Sequence, residues 1–214
     1  PKPANRFQSD GETEADSFFV IRVGAAGSNN VTTTINANLV QDELDSGVVR
    51  LLKTDPGRLI LNGINDFSGG VEIWGGTLQV SKDESLGDSG TSITIRNASA
   101  LQAGADFTTN RNIYLDGATG GSFDLYGNTF TPAGLIAGDG PLNVYDTSGG
   151  SDSSFLEMNR KNIYQGDTNI VGNDNNGQLT VNANATGVFG KVNSQVSVSN
   201  NALLNLNNSA SGEA

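Results

Sequence analysis

Residues 59–73 read Leu59-Ile60-Leu61-Asn62-Gly63-Ile64-Asn65-Asp66-Phe67-Ser68-Gly69-Gly70-Val71-Glu72-Ile73. Residues 156–170 read Leu156-Glu157-Met158-Asn159-Arg160-Lys161-Asn162-Ile163-Tyr164-Gln165-Gly166-Asp167-Thr168-Asn169-Ile170. Each position in the second stretch lies 97 residues after its counterpart in the first, with no gap. The hydrophobic, Asn, aromatic, Gly and β-branched positions coincide throughout. A looser echo follows each copy: Ile93-Thr-Ile95-Arg-Asn97-Ala-Ser-Ala100-Leu101 resembles Val196-Ser-Val198-Ser-Asn200-Asn-Ala202-Leu203, one residue shorter. The repeat is therefore long, with copies near 51–103 and 156–206, and covers several structural units.

Alternating apolar pairs extend outward from these copies. They include Leu59-x-Leu61, Val71-x-Ile73, Leu78-x-Val80, Ile93-x-Ile95, Leu101-x-Ala103 and Ile113-x-Leu115. Phe123-x-Leu125, Leu142-x-Val144, Leu156-x-Met158, Leu179-x-Val181 and Val196-x-Val198 continue the series. Turn residues separate the pairs, which suits an all-β chain of many short strands. Residues 41–52 come nearest to a helical pattern, but Gly47 and the paired valines interrupt it. A sandwich or barrel would also use many short strands; the internal repetition selects a solenoid. The expected fold is all-β, a right-handed, single-stranded parallel β-helix of the pectin-lyase kind. In such a coil only alternate residues reach the narrow interior. Gly and Asn serve the corners, where left-handed backbone is needed. Stacked Asn amides are expected to hydrogen-bond from coil to coil, as ladders do in cross-β stacks. At roughly 20–25 residues per coil, about ten coils and a rod of about 50 Å are expected.

Composition agrees with a thin core. Only 36% of residues are apolar, while Gly contributes 28 and Asn 26. The formal charge of −11 makes binding to phosphate backbones or anionic lipid unfavourable, which excludes a nucleic-acid partner. No apolar run reaches the roughly 18 residues of a membrane helix. Cys and His are both absent. Disulfides, thiolate or imidazole metal sites, and Ser-His-Asp or Cys-His catalysis therefore cannot be assembled. The sequence calls for no metal and no cofactor. Starting at Pro1 without Met, it reads as a piece of a longer protein. Residues 1–30 are expected to form an N-terminal extension and capping strand, and residues 31–214 the β-helix.

The stretch Leu52-Lys53-Thr54-Asp55-Pro56-Gly57-Arg58-Leu59-Ile60-Leu61-Asn62-Gly63-Ile64-Asn65-Asp66-Phe67-Ser68-Gly69-Gly70-Val71-Glu72-Ile73-Trp74-Gly75-Gly76-Thr77-Leu78-Gln79-Val80 resembles the autotransporter-associated β-strand repeat. That pattern is LxKxGxGxLxLxGxNxYxGxTxIxxGxLxV. Asp55-Pro56 stands where Gly is usual, and Phe67 replaces Tyr. The second copy keeps Asn162, Tyr164, Gly166, Thr168 and Ile170 but lacks the Lys-Thr lead-in and the Gly-Gly-Thr-Leu ending. The resemblance implies a passenger of type V secretion in a Gram-negative bacterium, displayed at the cell surface or secreted. It further implies adhesion or self-association, as in aggregation and biofilm, with other passengers or a host-surface protein or glycan as partner. Membrane contact would be made only through a C-terminal barrel outside this chain.

Few residues stand out as candidate sites. Trp74 should point outward if Val71 and Ile73 point inward, offering a platform for a sugar or packing under a loop. Asp139, Asp146 and Asp152, and again Asp167 and Asp174, form groups read as exposed carboxylates. Such groups could act as an acid/base pair or with Ca²⁺ in a polysaccharide-cleaving β-helix enzyme, the alternative to an adhesin. The simpler reading is turn and loop Asp, because no basic residue accompanies them. Asn173-Asp174-Asn175-Asn176-Gly177 has some likeness to a Ca²⁺ loop but reads better as a polar corner. Trp74, Asp146 and Asp152 are the binding candidates, and no residue is assigned a catalytic role. Phe18-Phe19-Val20-Ile21-Arg22-Val23 fits a capping strand, or a partner strand for a neighbouring passenger.

Overall fold

The computed structural model describes residues 17–24, 31–41, 47–150, 152–173 and 177–207. Among these residues nineteen strands, numbered β1–β19 in chain order, form three parallel sheets. Sheet A stacks β1 (Ser17–Arg22), β3 (Val49–Thr54), β5 (Val71–Ile73), β7 (Ile93–Arg96), β10 (Ile113–Asp116) and β13 (Ile136–Gly138). Sheet B stacks β2 (Thr32–Ile35), β4 (Arg58–Leu61), β6 (Thr77–Val80), β8 (Ala100–Ala103), β11 (Gly121–Asp124), β14 (Leu142–Tyr145), β16 (Thr168–Val171) and β18 (Val196–Ser199). Sheet C stacks β9 (Phe107–Thr109), β12 (Thr129–Pro132), β15 (Ser154–Met158), β17 (Leu179–Ala183) and β19 (Leu203–Leu206). The chain passes from sheet to sheet and returns one rung higher. This is the expected parallel β-solenoid.

The inner wall of sheet B shows how the apolar pairs build the core. Thr33, Leu59, Leu78, Leu101, Phe123, Val144, Ile170 and Val198 lie in one register column, 19 to 28 residues apart. Ten of the eleven apolar pairs are buried; Val196 and Val198, on the last described rung of sheet B, are exposed. Phe107, Phe130 and Phe123 stack inside the later coils, with ring centroids 4.8 and 5.1 Å apart. The eight rungs of sheet B make seven turns rather than ten, a rise of about 34 Å at 4.8 Å per rung. Those seven turns use 165 residues (198 − 33), about 24 each and within the expected length; the expectation of ten counted all 214 residues as coil, whereas the register column runs only from Thr33 to Val198. Residues 49–52, in the segment nearest to a helical pattern, belong to β3.

The 97-residue repeat does not return to the same face. In the first copy the chain leaves β4 in sheet B, crosses the sheet C side without forming a strand, and enters β5 in sheet A. In the second it leaves β15 in sheet C, crosses the sheet A side, and enters β16 in sheet B. The looser echo moves likewise, from β7 and β8 in sheets A and B to β18 and β19 in sheets B and C. The repeat therefore spans four turns plus one face. What is repeated is a strand, a bridging segment and a strand, independent of which face carries them.

The bridging segment is held the same way in both copies. Asn65 accepts from the Leu39 N–H at 2.8 Å in the coil below and donates to the Ser85 carbonyl at 2.6 Å in the coil above. Asn162 accepts from the Ile136 N–H at 2.9 Å and donates to the Val188 carbonyl at 2.9 Å. Each amide thus supplies the inter-coil bonds that a missing strand would have made. Two residues further on, Phe67 and Tyr164 point into the core and are buried. A left-handed glycine of the next coil covers each ring: a Cβ on Gly87 would lie 2.5 Å from the Phe67 ring, and one on Gly190 3.0 Å from the Tyr164 ring. The copies also differ in a matched way. Where Tyr164 brings a hydroxyl, the position four residues on is Thr168, bonded to it at 2.5 Å; where Phe67 brings none, that position is Val71. A buried hydroxyl needs a partner, and the change from Val to Thr provides it.

Asparagine ladders run between coils as expected, along the flat faces as well as at corners. Asn169 donates to Asn143 at 3.0 Å and Ser197 to Asn169 at 2.9 Å on the outside of sheet B. Outside sheet C, Asn205 donates to Asn182 at 2.9 Å and Asn207 to Asn184 at 3.0 Å, and both columns end on the Glu157 carboxylate. At a corner, Asn62 donates to Asn36 at 2.7 Å. The Phe18–Arg22 stretch lies in β1, the first rung of sheet A, paired with β3 from Ser17↔Val49 to Arg22↔Thr54. The division expected at residue 30 lies outside the described residues.

Candidate functional site

Trp74 follows β5 on the outside of sheet A. Val71 and Ile73 fill the core while Trp74 points outward, 40% exposed. Its indole N–H donates to Glu72 Oε2 at 2.8 Å, and the Arg96 guanidinium lies 4.8 Å from its ring centre. Arg96 in turn pairs with Asp116 at 2.7 Å. Because strand positions two apart share a face, Glu72, Thr94 and Tyr114 form a second outward column beside Trp74, Arg96 and Asp116. Tyr114 is likewise exposed. The result is a flat patch of two aromatic rings among paired charges, repeating at the inter-strand spacing. Trp74 is neither a bare platform nor covered by a loop: a cation covers part of it. Such a patch can stack against a planar or sugar surface and exchange hydrogen bonds at its rim.

The aspartates fall on two corners. Asp139 and Asp167 lie on the turns from the sheet A side to sheet B. They accept the Gly117 and Gln195 N–H groups of neighbouring coils, both at 2.8 Å. Asp146 and Asp152 lie on loop 146–153 between sheets B and C. Asp152 is exposed, but Asp146 is only 6% exposed, against the reading of it as a surface carboxylate. Asp146 closes its own loop, accepting from the Ser148 N–H at 2.7 Å and from the Ser154 hydroxyl. Asp174 and residues 174–176 of the Ca²⁺-like stretch lie outside the described residues.

Three buried charged groups were not singled out from the sequence. Lys53 occupies the third inward position of β3, after Val49 and Leu51, and is fully buried. Its ammonium donates to the carbonyls of Thr54, Asp55 and Gly75 at 2.9, 2.7 and 2.8 Å. Burial pushes it down to about 8, with Asp55 pulling the other way. Arg111 is buried at the corner before β10, where it pairs with Asp83 at 2.9 Å. Asp124 points outward from β11 yet is only 3% exposed, because loop 146–153 folds over it. Burial pushes its carboxyl up; hydrogen bonds from Thr147 and Gln102 oppose this, and the Asp146 charge adds to it. Strand alternation signals Lys53, whereas no local pattern signals Arg111 or the burial of Asp124.

Comparison with known proteins gives two findings. Residues 51–80, which are β3 to β6, match the family described as the passenger-associated-transport-repeat. Over 123 residues, 56% of this chain, the sequence is 37% identical to the adhesin BmaC autotransporter of Brucella suis biovar 1 (strain 1330). The match spans 3% of that relative's length. No solved structure matches the chain significantly. The repeat, the parallel solenoid and this similarity agree: residues 51–80 carry a passenger-associated-transport-repeat, and the chain is similar to a part of an autotransporter adhesin.

Proposed function

We propose that the chain is a segment of an extracellular adhesive passenger of a Gram-negative bacterium. It would act as a rigid stalk and meet its partner through the outside of sheet A around Trp74 and Tyr114. The observation that carries this reading is the similarity to an adhesin passenger over 123 residues, together with an outward aromatic patch on a polar rod. The partner is a host-surface glycan or protein, or another passenger. Each contact is weak alone and is multiplied by the many copies displayed on one cell. A non-catalytic role is supported by the carboxylates: they sit on two corners, and Asp139, Asp146 and Asp167 already hold backbone N–H groups.

The test uses the parent protein displayed on cells. Trp74→Ala combined with Tyr114→Ala should weaken adhesion or aggregation about 30-fold or more, as loss of a central aromatic anchor does. Unchanged adhesion by the double variant would remove the site. Unchanged adhesion after deletion of the whole segment would remove the function.

A further inference from the structure

Where the chain turns into sheet A, successive coils leave a groove of about 570 Å³. It crosses the corner ahead of β5, β7 and β10, three rungs that span about 10 Å at the inter-strand spacing. Its volume is that of a ligand cleft, roughly 300–1,000 Å³, but its walls are polar where most clefts are apolar. Ser68, Ser92, Asn110 and Asn112 line it, with Tyr114 of β10 at the sheet A side.

The groove is preformed and carries groups without partners. The buried Arg111 lies at its base and donates to the Asp88 carbonyl and the Thr91 hydroxyl at 2.5 and 2.6 Å, which fixes the turn 88–92. Tyr114 is 39% exposed. Among the described residues its ring meets no other ring or cation and its hydroxyl is unbonded, whereas Trp74 is covered by Arg96 and bonded to Glu72. The side chains of Ser92 and Asn110 likewise bond to no described residue. Gly90 keeps the groove open: a Cβ there would meet only Asp88 Oδ1, at 3.7 Å.

Charge selects the class of ligand. Among the described residues no Asp or Glu lines the groove, although the chain has 23 of them. Its two cations are already engaged. Arg111 uses all five donors on the turn below, and Arg50 donates to the Gly69 carbonyl at 3.2 Å and lies 4.0 Å from Glu72. An acidic ligand would meet no uncommitted cation and a chain of net charge −11. Hydroxyls and amides beside an aromatic face suit the hydroxyls and the C–H face of an uncharged sugar. We infer that this groove binds a neutral glycan, with Tyr114 stacked on a sugar ring and Ser92, Asn110 and Asn112 bonded to its hydroxyls. The inference rests on the adhesive reading of the outside of sheet A and commits its partner to a sugar.

The experiment places the full 214-residue chain, biotinylated and clustered on labelled streptavidin, on an array of neutral, sialylated and sulfated oligosaccharides. Clustering makes weak single contacts readable. At least one neutral oligosaccharide should bind, and its sialylated or sulfated forms should bind no more tightly. Gly90→Leu, which fills the groove, and Tyr114→Ala should each weaken that binding about 30-fold or more, as loss of a central anchor does. Asn110→Ala, an exposed truncation, should weaken it too. Gly150→Leu, the same change at an equally open glycine on loop 146–153, should not. Binding to no neutral oligosaccharide, a preference for the acidic forms, or binding that a folded Gly90→Leu variant keeps would each overturn the inference. If it falls while Trp74→Ala with Tyr114→Ala still removes adhesion by the displayed parent, the adhesive face stands with a different partner. If that double variant also adheres normally, both fall.

Discussion

Arg111→Ala should destabilise the chain by about 3–5 kcal/mol, the cost of breaking a buried ion pair by removing one partner. The guanidinium reaches the turn 83–91 of the coil below and saturates its donors there. Nε donates to Asp83 Oδ1 at 2.9 Å, and Nη2 to the carbonyls of Asp83 and Gly87 at 3.2 and 2.7 Å. Nη1 donates to the Asp88 carbonyl and the Thr91 hydroxyl at 2.5 and 2.6 Å. Truncation therefore strands five acceptors around an unfilled space. Arg111→Lys should recover little, because a point charge cannot span the acceptors that a planar fork reaches. Arg22→Ala is the control: its pair with Asp55 is exposed, and its loss should cost under about 1 kcal/mol. Chemical denaturation of the three variants checks the order. A loss for Arg111→Ala no larger than that for Arg22→Ala would mean that the turn is held by something else.

Asn162→Ala should cost about 2–5 kcal/mol, since it leaves the Ile136 N–H and the Val188 carbonyl unpaired in a dry interior at about 1–3 kcal/mol each. Asn65→Ala should cost a similar amount, because Leu39 and Ser85 lose the same two bonds. Asn162→Asp sharpens the prediction. A carboxylate can still accept from Ile136 but cannot donate to Val188, so this variant should be least stable at neutral pH and recover on acidification as the carboxyl becomes protonated. Urea midpoints at pH 7 and pH 4 measure this. Equal midpoints for Asn162→Ala and the unaltered chain would show that the amide does not bridge the coils.

The landmarks of both bridging segments were legible in the sequence, because each has a chemical reason to recur. The Asn must face two ways, the aromatic must fill the core where no strand does, and the glycine of the next coil must clear the ring. The apolar pairs were legible for the same reason: one side of every strand has nowhere to go but inward. The shift by one face was not. A 97-residue offset contains no count of turns when the coils vary from 19 to 28 residues, and it fits a whole number of turns as readily as four and a third. Asp124 and Arg111 escaped because their burial comes from distant chain, the loop at 146–153 and the turn at 83–91. Asp146 was misjudged as exposed because an Asp in a polar turn usually is, and nothing nearby reveals that it closes the loop.

The face shift is the claim on which the rest of the architecture depends, and spin labels can read it directly because the chain has no native cysteine. Thr129 and Phe155 are neighbours across sheet C in the shifted arrangement; had the second copy returned to sheet B, Phe155 would sit beside Asn143 instead. Nitroxides on Thr129→Cys/Phe155→Cys should show strong dipolar broadening, as expected of strands about 4.8 Å apart, and those on Asn143→Cys/Phe155→Cys should not. Broadening in the second pair and none in the first would contradict the shift.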